Sequence, residues 1–328
     1  MRKKKTKSAA ALAAALSATL LLTGCFGGAG GQLRIGAAGS GGTYYAFCEA
    51  LAAAAKESGA DYELAVRTTA GSAANLRLLS EGYVTLAVAQ EDLAQDACRG
   101  EGIFAGQEGG LRGGAVAALY TEPCQVIVRA DAAIESVEDL QGKKVSIGEA
   151  ESGTEQNARQ ILAVYGLSER LVDEVNLNYE EAAEQLTSGE IDALFLTIGT
   201  QAEVVSALAE SCAVRLLPVD GRAAQRLLAA YDGYAPYTIP AGTYEGQEQA
   251  VQTVGVRALL LASDRLEAET VETLTALLFD RAQELQAALP EGAVLEPAAA
   301  AANVAVPFHE GAADFYAARG IAAEEKSE

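Results

Sequence analysis

The sequence predicts an α/β protein of two similar lobes, each with a mostly parallel sheet covered by helices. Three observations support this fold class. Short apolar strands alternate with amphipathic helices, the same plan occurs twice along the chain, and a long apolar strand around Val254 follows the second copy. Only two copies of the plan occur, which argues against a solenoid.

Turn residues mark the elements of the first copy. Ser72 is a suitable N-cap for a helix, and Gly82 is a suitable residue just beyond its end. The predicted elements are a strand at 33–36, a helix at 44–58, a strand at 62–67, a helix at 72–81 and a strand at 84–90.

The second copy repeats this order, and a third segment completes the fold. Ser136 and Asp139 form a capping-box-like turn, and Ser152 with Glu155 fits the same pattern. The second copy is predicted as strand 144–148, helix 154–165, helix 180–187 and strand 191–196. The last segment is predicted as strand 253–261, helix 268–288 and helix 311–320.

The first residues indicate export and lipid anchoring. A basic start at 2–7 precedes an apolar stretch at 9–22, which is shorter than the about 20 residues needed to cross a bilayer. Leu22-Thr23-Gly24-Cys25 follows as a lipidation box. We expect residues 1–24 to be a signal peptide, with lipid on Cys25 and residues 25–32 as a spacer. The alternative is an ordinary signal peptide with a chance cysteine.

This interpretation sets the localisation and excludes several function classes. The protein is expected on the extracytoplasmic face of the cytoplasmic membrane, away from ATP and NAD. The basic start holds five of the 24 basic residues, so 19 basic and 45 acidic residues remain after it. Such acidity argues against nucleic acid and anionic membrane surfaces as partners. We expect a monomer in which 304 residues form two packed lobes.

Catalytic, cofactor and metal motifs are not evident. The chain has one histidine, His309, and contains neither a nucleotide P-loop nor a G-x-S-x-G nucleophile elbow. No spacing of His, Cys, Asp and Glu fits a metal site, so we expect no metal and no cofactor. Beyond Cys25, Cys48, Cys98, Cys124 and Cys212 could form disulfides or remain free thiols, and the sequence does not decide between these.

Small polar residues precede three of the predicted helices. The loops are Gly41-Gly42-Thr43, Gly71-Ser72 and Ser152-Gly153-Thr154. A helix N-terminus presents unpaired N–H groups and binds carboxylates without a basic side chain. Ligands of open α/β sheets lie beyond the carboxyl ends of the strands, where these loops and Gln90 are expected. The alternative is that Ser72 and Ser152 only cap their helices.

Several stretches resemble the TAXI-type solute-binding proteins of TRAP transporters. The resemblance covers about residues 33–320, in order. Its landmarks are residues 39–45, 69–76, 139–145, 152–154, 239–244 and 307–312. It implies a type II periplasmic-binding fold, in which two α/β lobes with central mixed sheets are joined by a hinge around a ligand cleft. It also implies capture of a small carboxylate-bearing solute, delivery to an ion-gradient-driven TRAP permease, and no catalysis.

The resemblance and the helix starts together give the expected site and domains. Ligand-binding residues are expected to be Gly41, Gly42, Thr43, Tyr44, Ser72, Asn75, Gln90, Ser152, Gly153, Thr154, Phe195 and Thr197. One lobe is expected at 33–120 plus 254–320 and the other at 125–245, with crossings near 119–124 and 246–253 and a tail at 321–328. One of the adjacent Tyr44 and Tyr45 is expected to face the cleft and the other the core. Tyr120 and Tyr244 could wall the ligand or pack in the core.

Departures from the family pattern concern the ligand more than the fold. Glu149 and Glu151 flank the second-lobe loop, and they would disfavour a doubly charged anion unless they point away. Gln201 and Glu310 stand where prolines are usual. We expect a glutamate-like amino acid or a dicarboxylate as the solute. A ligand-sensing lipoprotein of the same fold without a permease is the alternative, and an exported enzyme lacks an evident acid–base pair or nucleophile.

Overall fold

The computed structural model describes residues 31–107 and 109–323, which fold as strands covered on both faces by helices. The signal segment, Cys25 and residues 324–328 of the tail lie outside these residues. The strands are β1 (Gln32–Gly36), β2 (Glu63–Arg67), β3 (Leu86–Gln90), β4 (Gly113–Arg129), β5 (Lys144–Ser146), β6 (Asp173–Val175), β7 (Ala193–Thr197), β8 (Val214–Leu217), β9 (Tyr234–Ile239) and β10 (Val251–Ser263). The helices are α1 (Thr43–Glu57), α2 (Ser72–Glu81), α3 (Glu91–Arg99), α4 (Gly153–Val164), α5 (Tyr179–Ser188), α6 (Glu203–Ser211), α7 (Gly221–Ala230), α8 (Ala268–Asp280), α9 (Ala282–Leu285), α10 (Pro297–Ala300) and α11 (Glu310–Ala317).

The ten strands of the described residues are connected and form two mixed sheets joined through β4, which pairs with strands of both. In the first sheet β2, β1 and β3 are parallel, and β10 runs antiparallel to β3. In the second sheet β6, β5 and β7 are parallel, and β4 runs antiparallel to β7. This arrangement confirms the predicted fold class, two α/β lobes with central mixed sheets in a type II periplasmic-binding fold.

β4 and β10 pass between the lobes as continuous strands. β4 pairs with β10 over its first part and with β7 and β8 over its last part. β10 pairs with β9 over 251–256 and with β3 over 258–262. The change of partner in β10 therefore lies a few residues beyond the expected crossing at 246–253. Because the apolar pattern of β10 continues through this point, the sequence does not mark it, and the lobe bounds stay a prediction.

Each lobe has an apolar core on both faces of its sheet. Leu86 and Val88 of β3 pack with α1, α8 and α11 on one face, whereas Ala87 and Ala89 pack with α2 and α3 on the other. In the second lobe, Val126 faces α4 and α7, whereas the alternate strand positions face α5 and α6. This alternation follows from the two-residue period of a strand and leaves both sheets covered.

Several local predictions can now be compared with the structure. The capping box of Ser136 and Asp139 is confirmed, and Ser152 caps α4 by accepting the Glu155 N–H at 3.0 Å. In a full capping box the carboxylate of Glu155 would accept the N–H of Ser152. Here it accepts the N–H of Glu151, one residue earlier. The predicted helix 268–288 is interrupted after α8, continuing as α9 and a short 3-10 turn.

The prediction that Ser72 is an N-cap is wrong. The N-cap of α2 is Gly71, with φ of 123°, a conformation that favours glycine. Ser72 is the first helical residue, and its hydroxyl accepts the main-chain N–H of Gln90 at 3.1 Å. Ser72 therefore links the start of α2 to the end of β3.

The four cysteines within the described residues are free thiols. Cys48 and Cys124 are buried, and burial raises the pKa of the Cys124 thiol to about 12. Of the two open alternatives, the structure has the free-thiol state.

Candidate functional site

An enclosed cleft lies between the two lobes, beyond the carboxyl ends of β1, β3 and β7. It contains about 310 Å³ of empty space, including its opening. The part of this space that a water-sized sphere can occupy is about 10 Å³, about what one water molecule needs, so the two lobes are closed on each other and a solute would enter as they part. The lining residues are Ala38, Gly42, Thr43, Tyr44, Gly71, Ser72, Gln90, Glu122, Ser152, Gly153, Thr154, Tyr179, Thr197 and Ile198.

Four helices begin at this cleft, of which α5 starts at Tyr179 and has a side-chain cap from Asn178. α1, α2 and α4 start at Thr43, Ser72 and Gly153, and all three residues line it. No side chain caps α1 or α2, so no side chain competes for their first N–H groups. A carboxylate at such a helix end gains about 0.3–2 kcal/mol from the helix dipole, apart from its hydrogen bonds.

A buried carboxyl group lies in the same cleft. Glu122 of β4 is 2% exposed and accepts hydrogen bonds from the hydroxyls of Tyr44 at 2.6 Å and Tyr120 at 3.0 Å. Burial raises the pKa of the Glu122 carboxyl to about 8, and the two hydroxyls act in the opposite direction. None of the described residues that line the cleft is Lys, Arg or His.

Gln90 bridges the lobes at the base of the cleft. Its side-chain Nε2 donates to Oδ1 of Asn157 in α4 at 3.0 Å. Asn157 in turn donates to the hydroxyl of Tyr234 at 2.7 Å. The Oε1 atom of Gln90 is buried without a hydrogen-bond partner. A Cβ at Gly153 would lie 2.3 Å from Cδ of Gln90, so any larger residue there would displace the Gln90 amide from its present position.

One hydrogen bond and one aromatic ring shape the side of the cleft that the second lobe forms. Oγ1 of Thr154 accepts the main-chain N–H of Thr197 at 3.0 Å, which joins α4 to the end of β7. Tyr179, the first residue of α5, lies with its ring against the glycine loop, since Cβ atoms at Gly39 and Gly42 would be 3.4 and 3.2 Å from it. The aromatic ring therefore closes the cleft over the start of α1.

Nine of the twelve ligand-binding residues expected from the sequence line the cleft, and three do not. Asn75 is fully buried and bonds to the carbonyls of Gly36, Ala37 and Val88. Phe195 packs in the second-lobe core, and Gly41 faces Val204 outside the cleft. The nine that line it are Gly42, Thr43, Tyr44, Ser72, Gln90, Ser152, Gly153, Thr154 and Thr197.

Sequence reasoning missed four lining residues: Ala38, Glu122, Tyr179 and Ile198. Glu122 did carry a signal, because it is the one charged residue in the otherwise uncharged stretch 113–128. A lone carboxyl in a buried strand is rare unless it is paired or functional. Tyr179 carried no comparable signal, since it precedes a run of exposed acidic residues.

The acidic residues beside the second-lobe loop do not line the cleft. Glu151 forms an ion pair with Arg77 at 3.4 Å, and its carbonyl accepts the N–H of Ala74 at 3.0 Å. Both contacts join the two lobes. Burial raises the pKa of Glu149, with the nearby Glu181 and Glu180 adding to the effect.

Tyr45, Tyr244 and His309 pack in the core or form hydrogen bonds within the fold. Tyr45 packs against the first-lobe core, whereas Tyr44 lines the cleft. Tyr244 is buried and donates to Oε1 of Gln125 at 2.8 Å. Nδ1 of His309 accepts the N–H of Gly311 at 3.2 Å, which caps α11.

Two α/β lobes with a polar cleft between them make up the architecture of the periplasmic-binding fold. The chain belongs to the NMT1-like family, whose profile matches residues 35–320. Within the described residues, every helix is too short or too polar to span a bilayer.

Solved structures with this fold are similar over most of the chain. A protein from Bordetella bronchiseptica RB50 is 19% identical with a TM-score of 0.53, covering 80% of this chain and 76% of that one. The periplasmic aliphatic sulphonate binding protein SsuA from Escherichia coli is 18% identical, with a TM-score of 0.45 and coverage of 78% and 77%. A TctC solute binding protein from Polaromonas is 17% identical, with a TM-score of 0.44 and coverage of 80% and 91%. At these identities the likeness concerns the fold alone.

Proposed function

We propose that the chain is a receptor that captures a small carboxylate-bearing solute, a glutamate-like amino acid or a dicarboxylate, and delivers it to an ion-gradient-driven TRAP permease. The observation that carries the proposal is the convergence of the α1, α2 and α4 N-termini on one enclosed cleft. These ends offer N–H donors and positive dipole ends to an anion where no basic side chain lies. The TRAP partner rests on the resemblance of residues 39–45 and 69–76 to TAXI-type receptors.

The bound solute itself provides the test. We expect the purified protein to release a small carboxylate on denaturation, identified by mass spectrometry, and to rebind it in calorimetry with one solute per chain. The receptor role assigns no chemical step to the protein, so the rebound solute should be recovered unchanged. Release of no small carboxylate, together with no binding across a panel of them, would remove the proposal.

We further propose that lipid on Cys25 holds the receptor at the membrane. Two acyl chains anchor stably, since each buried methylene contributes about 0.8 kcal/mol. Cys25→Ser is expected to move the mature protein from the membrane fraction to the soluble fraction, measured by fractionation and immunoblotting. Ser17→Ala, upstream in the signal segment, is the matched control and should leave the distribution unchanged. Retention of the Cys25→Ser protein in the membrane fraction would contradict the lipid anchor.

A further inference from the structure

The cleft contains two kinds of polar group with opposite preferences. The starts of α1, α2 and α4 favour an anion. The carboxyl of Glu122 accepts two tyrosine hydroxyls and has further acceptor positions, and Oε1 of Gln90 is an acceptor without a partner. Because none of the described lining residues is basic, a ligand is what can bring a positive charge to Glu122 and a donor to Gln90.

We propose that Glu122 binds the ammonium group of the solute, so that the cleft prefers zwitterionic α-amino acids to dicarboxylates and α-hydroxy acids. This inference rests on the proposed function and narrows its substrate class. Glu122 is the specificity-determining residue, and the helix N-termini bind the carboxylate that all three classes share.

The hydrogen-bonding capacity of Glu122 fits an ammonium group. An ionised carboxyl offers about four acceptor positions, and the hydroxyls of Tyr44 and Tyr120 occupy two of them. An ammonium group has three donors and a full positive charge, so it can use the remaining positions and compensate the buried charge. A hydroxyl offers a single neutral donor, and a second carboxylate would bring two like charges together.

The placement of Tyr44 fits a single small zwitterion. Tyr44 is the second residue of α1, so its main-chain N–H belongs to the helix N-terminus, and its hydroxyl donates to Glu122. The anion-binding end and the buried carboxyl are therefore separated by one tyrosine side chain. This matches a solute that carries its charges of opposite sign on one short backbone.

The other ionisable groups around Glu122 add no positive charge. Tyr44 and Tyr120 donate to it, and Asp92 of α3 acts on it through an unfavourable charge interaction. Glu122 in turn acts on Tyr179 of α5 and on Cys124 of its own strand. All of these groups are neutral or anionic, which increases the preference for a cation at this point.

Calorimetry with matched pairs of solutes tests the inference. The panel is the L-amino acids, the α-hydroxy acids with the same side chains, and the dicarboxylates succinate and glutarate. We expect the tightest-binding amino acid to exceed its hydroxy acid at least 100-fold in affinity. Glu122→Gln should reduce this ratio below 10-fold, because the amide keeps the shape but loses the charge. Glu149→Gln, outside the cleft, should preserve the ratio.

Each outcome separates the two proposals. If dicarboxylates or hydroxy acids bind as tightly as amino acids, or if Glu122→Gln keeps the full ratio, the ammonium assignment is overturned and the carboxylate receptor stands. If no member of the panel binds and none is released on denaturation, the proposed function itself fails.

Proton counting on the unaltered protein covers the case in which Glu122→Gln does not fold. Titrations at pH 7 in buffers of different ionisation enthalpy give the number of protons exchanged per ligand. An ammonium group favours the ionised form of Glu122, so binding of the amino acid should release protons. Uptake of protons, or no exchange, would overturn the assignment.

Discussion

Replacing Asn75 with alanine is expected to lower the free energy of unfolding by about 3–5 kcal/mol. The side chain is fully buried, and its Nδ2 donates to the carbonyls of Gly36 at 3.2 Å, Ala37 at 2.5 Å and Val88 at 2.8 Å. Its Oδ1 accepts the hydroxyl of Thr69 at 2.7 Å. Truncation leaves these buried groups without partners and separates β1 from β3 at the edge of the cleft. Urea denaturation monitored by circular dichroism measures the change.

An exposed polar residue on another helix provides the control for this substitution. Thr187 is exposed on α5 and bonds only to Ala183 of its own helix, so Thr187→Ala should change the free energy of unfolding by less than about 0.5 kcal/mol. If Asn75→Ala matches this control in stability yet weakens solute binding, Asn75 contacts the ligand and the structural role is wrong.

The ligand-free protein is expected to lose stability as pH rises from about 5 to about 8, and Glu122→Gln should remove part of this loss. Burial raises the pKa of the Glu122 carboxyl from its ordinary value of 4.5 to about 8. Between these values the native state holds a proton that the unfolded state has released, so the free energy of unfolding falls with pH. A single group contributes at most about 1.4 kcal/mol per pH unit.

Denaturation curves at pH 5, 6, 7, 8 and 9 measure this difference between the two proteins. Asp92 is also buried, and its pKa is raised to about 7, so the unaltered protein alone does not isolate Glu122. The free energy of unfolding of Glu122→Gln should increase relative to that of the unaltered protein as pH rises to about 8. Above that pH the difference between the two proteins should stay constant. Glu248→Gln, at an exposed position, is the control and should show a constant difference. Parallel curves for Glu122→Gln would contradict the buried, protonated state.

Elements bounded by strong turn residues could be predicted closely from the sequence. Gly82 and Gly189 end α2 and α5 with φ of 83° and 79°, a conformation that glycine adopts at low cost. The glycine loops at the cleft were found for the same reason, because a small polar residue before an amphipathic stretch is a local signal. Thr43 and Gly153 were therefore placed correctly beside the cleft.

Residues whose roles depend on distant partners could not be predicted in this way. Asn75 resembles a ligand-binding residue in its local context, but its partners are carbonyls on two strands that only the folded sheet brings together. Glu122 accepts a hydrogen bond from Tyr44, which lies 78 positions earlier in the sequence. The sequence predicts a lobe crossing near 119–124 but no strand over 113–129, since a strand buried on both faces has no alternating pattern to identify it.

The two strands that cross between the lobes have a mechanical consequence. β4 and β10 remain paired along their length with two register shifts, one between Leu260 and Leu261 and one that forms a bulge where the residues from Ala118 to Thr121 oppose those from Leu259 to Arg257. Such a ribbon resists stretching but yields to torsion, and a bulge is where its twist is greatest. We therefore expect any movement of the lobes to twist this pair of strands more than to stretch it. Glu122 directly follows the bulge, so the buried carboxyl of the cleft belongs to the segment in which such a twist would be concentrated.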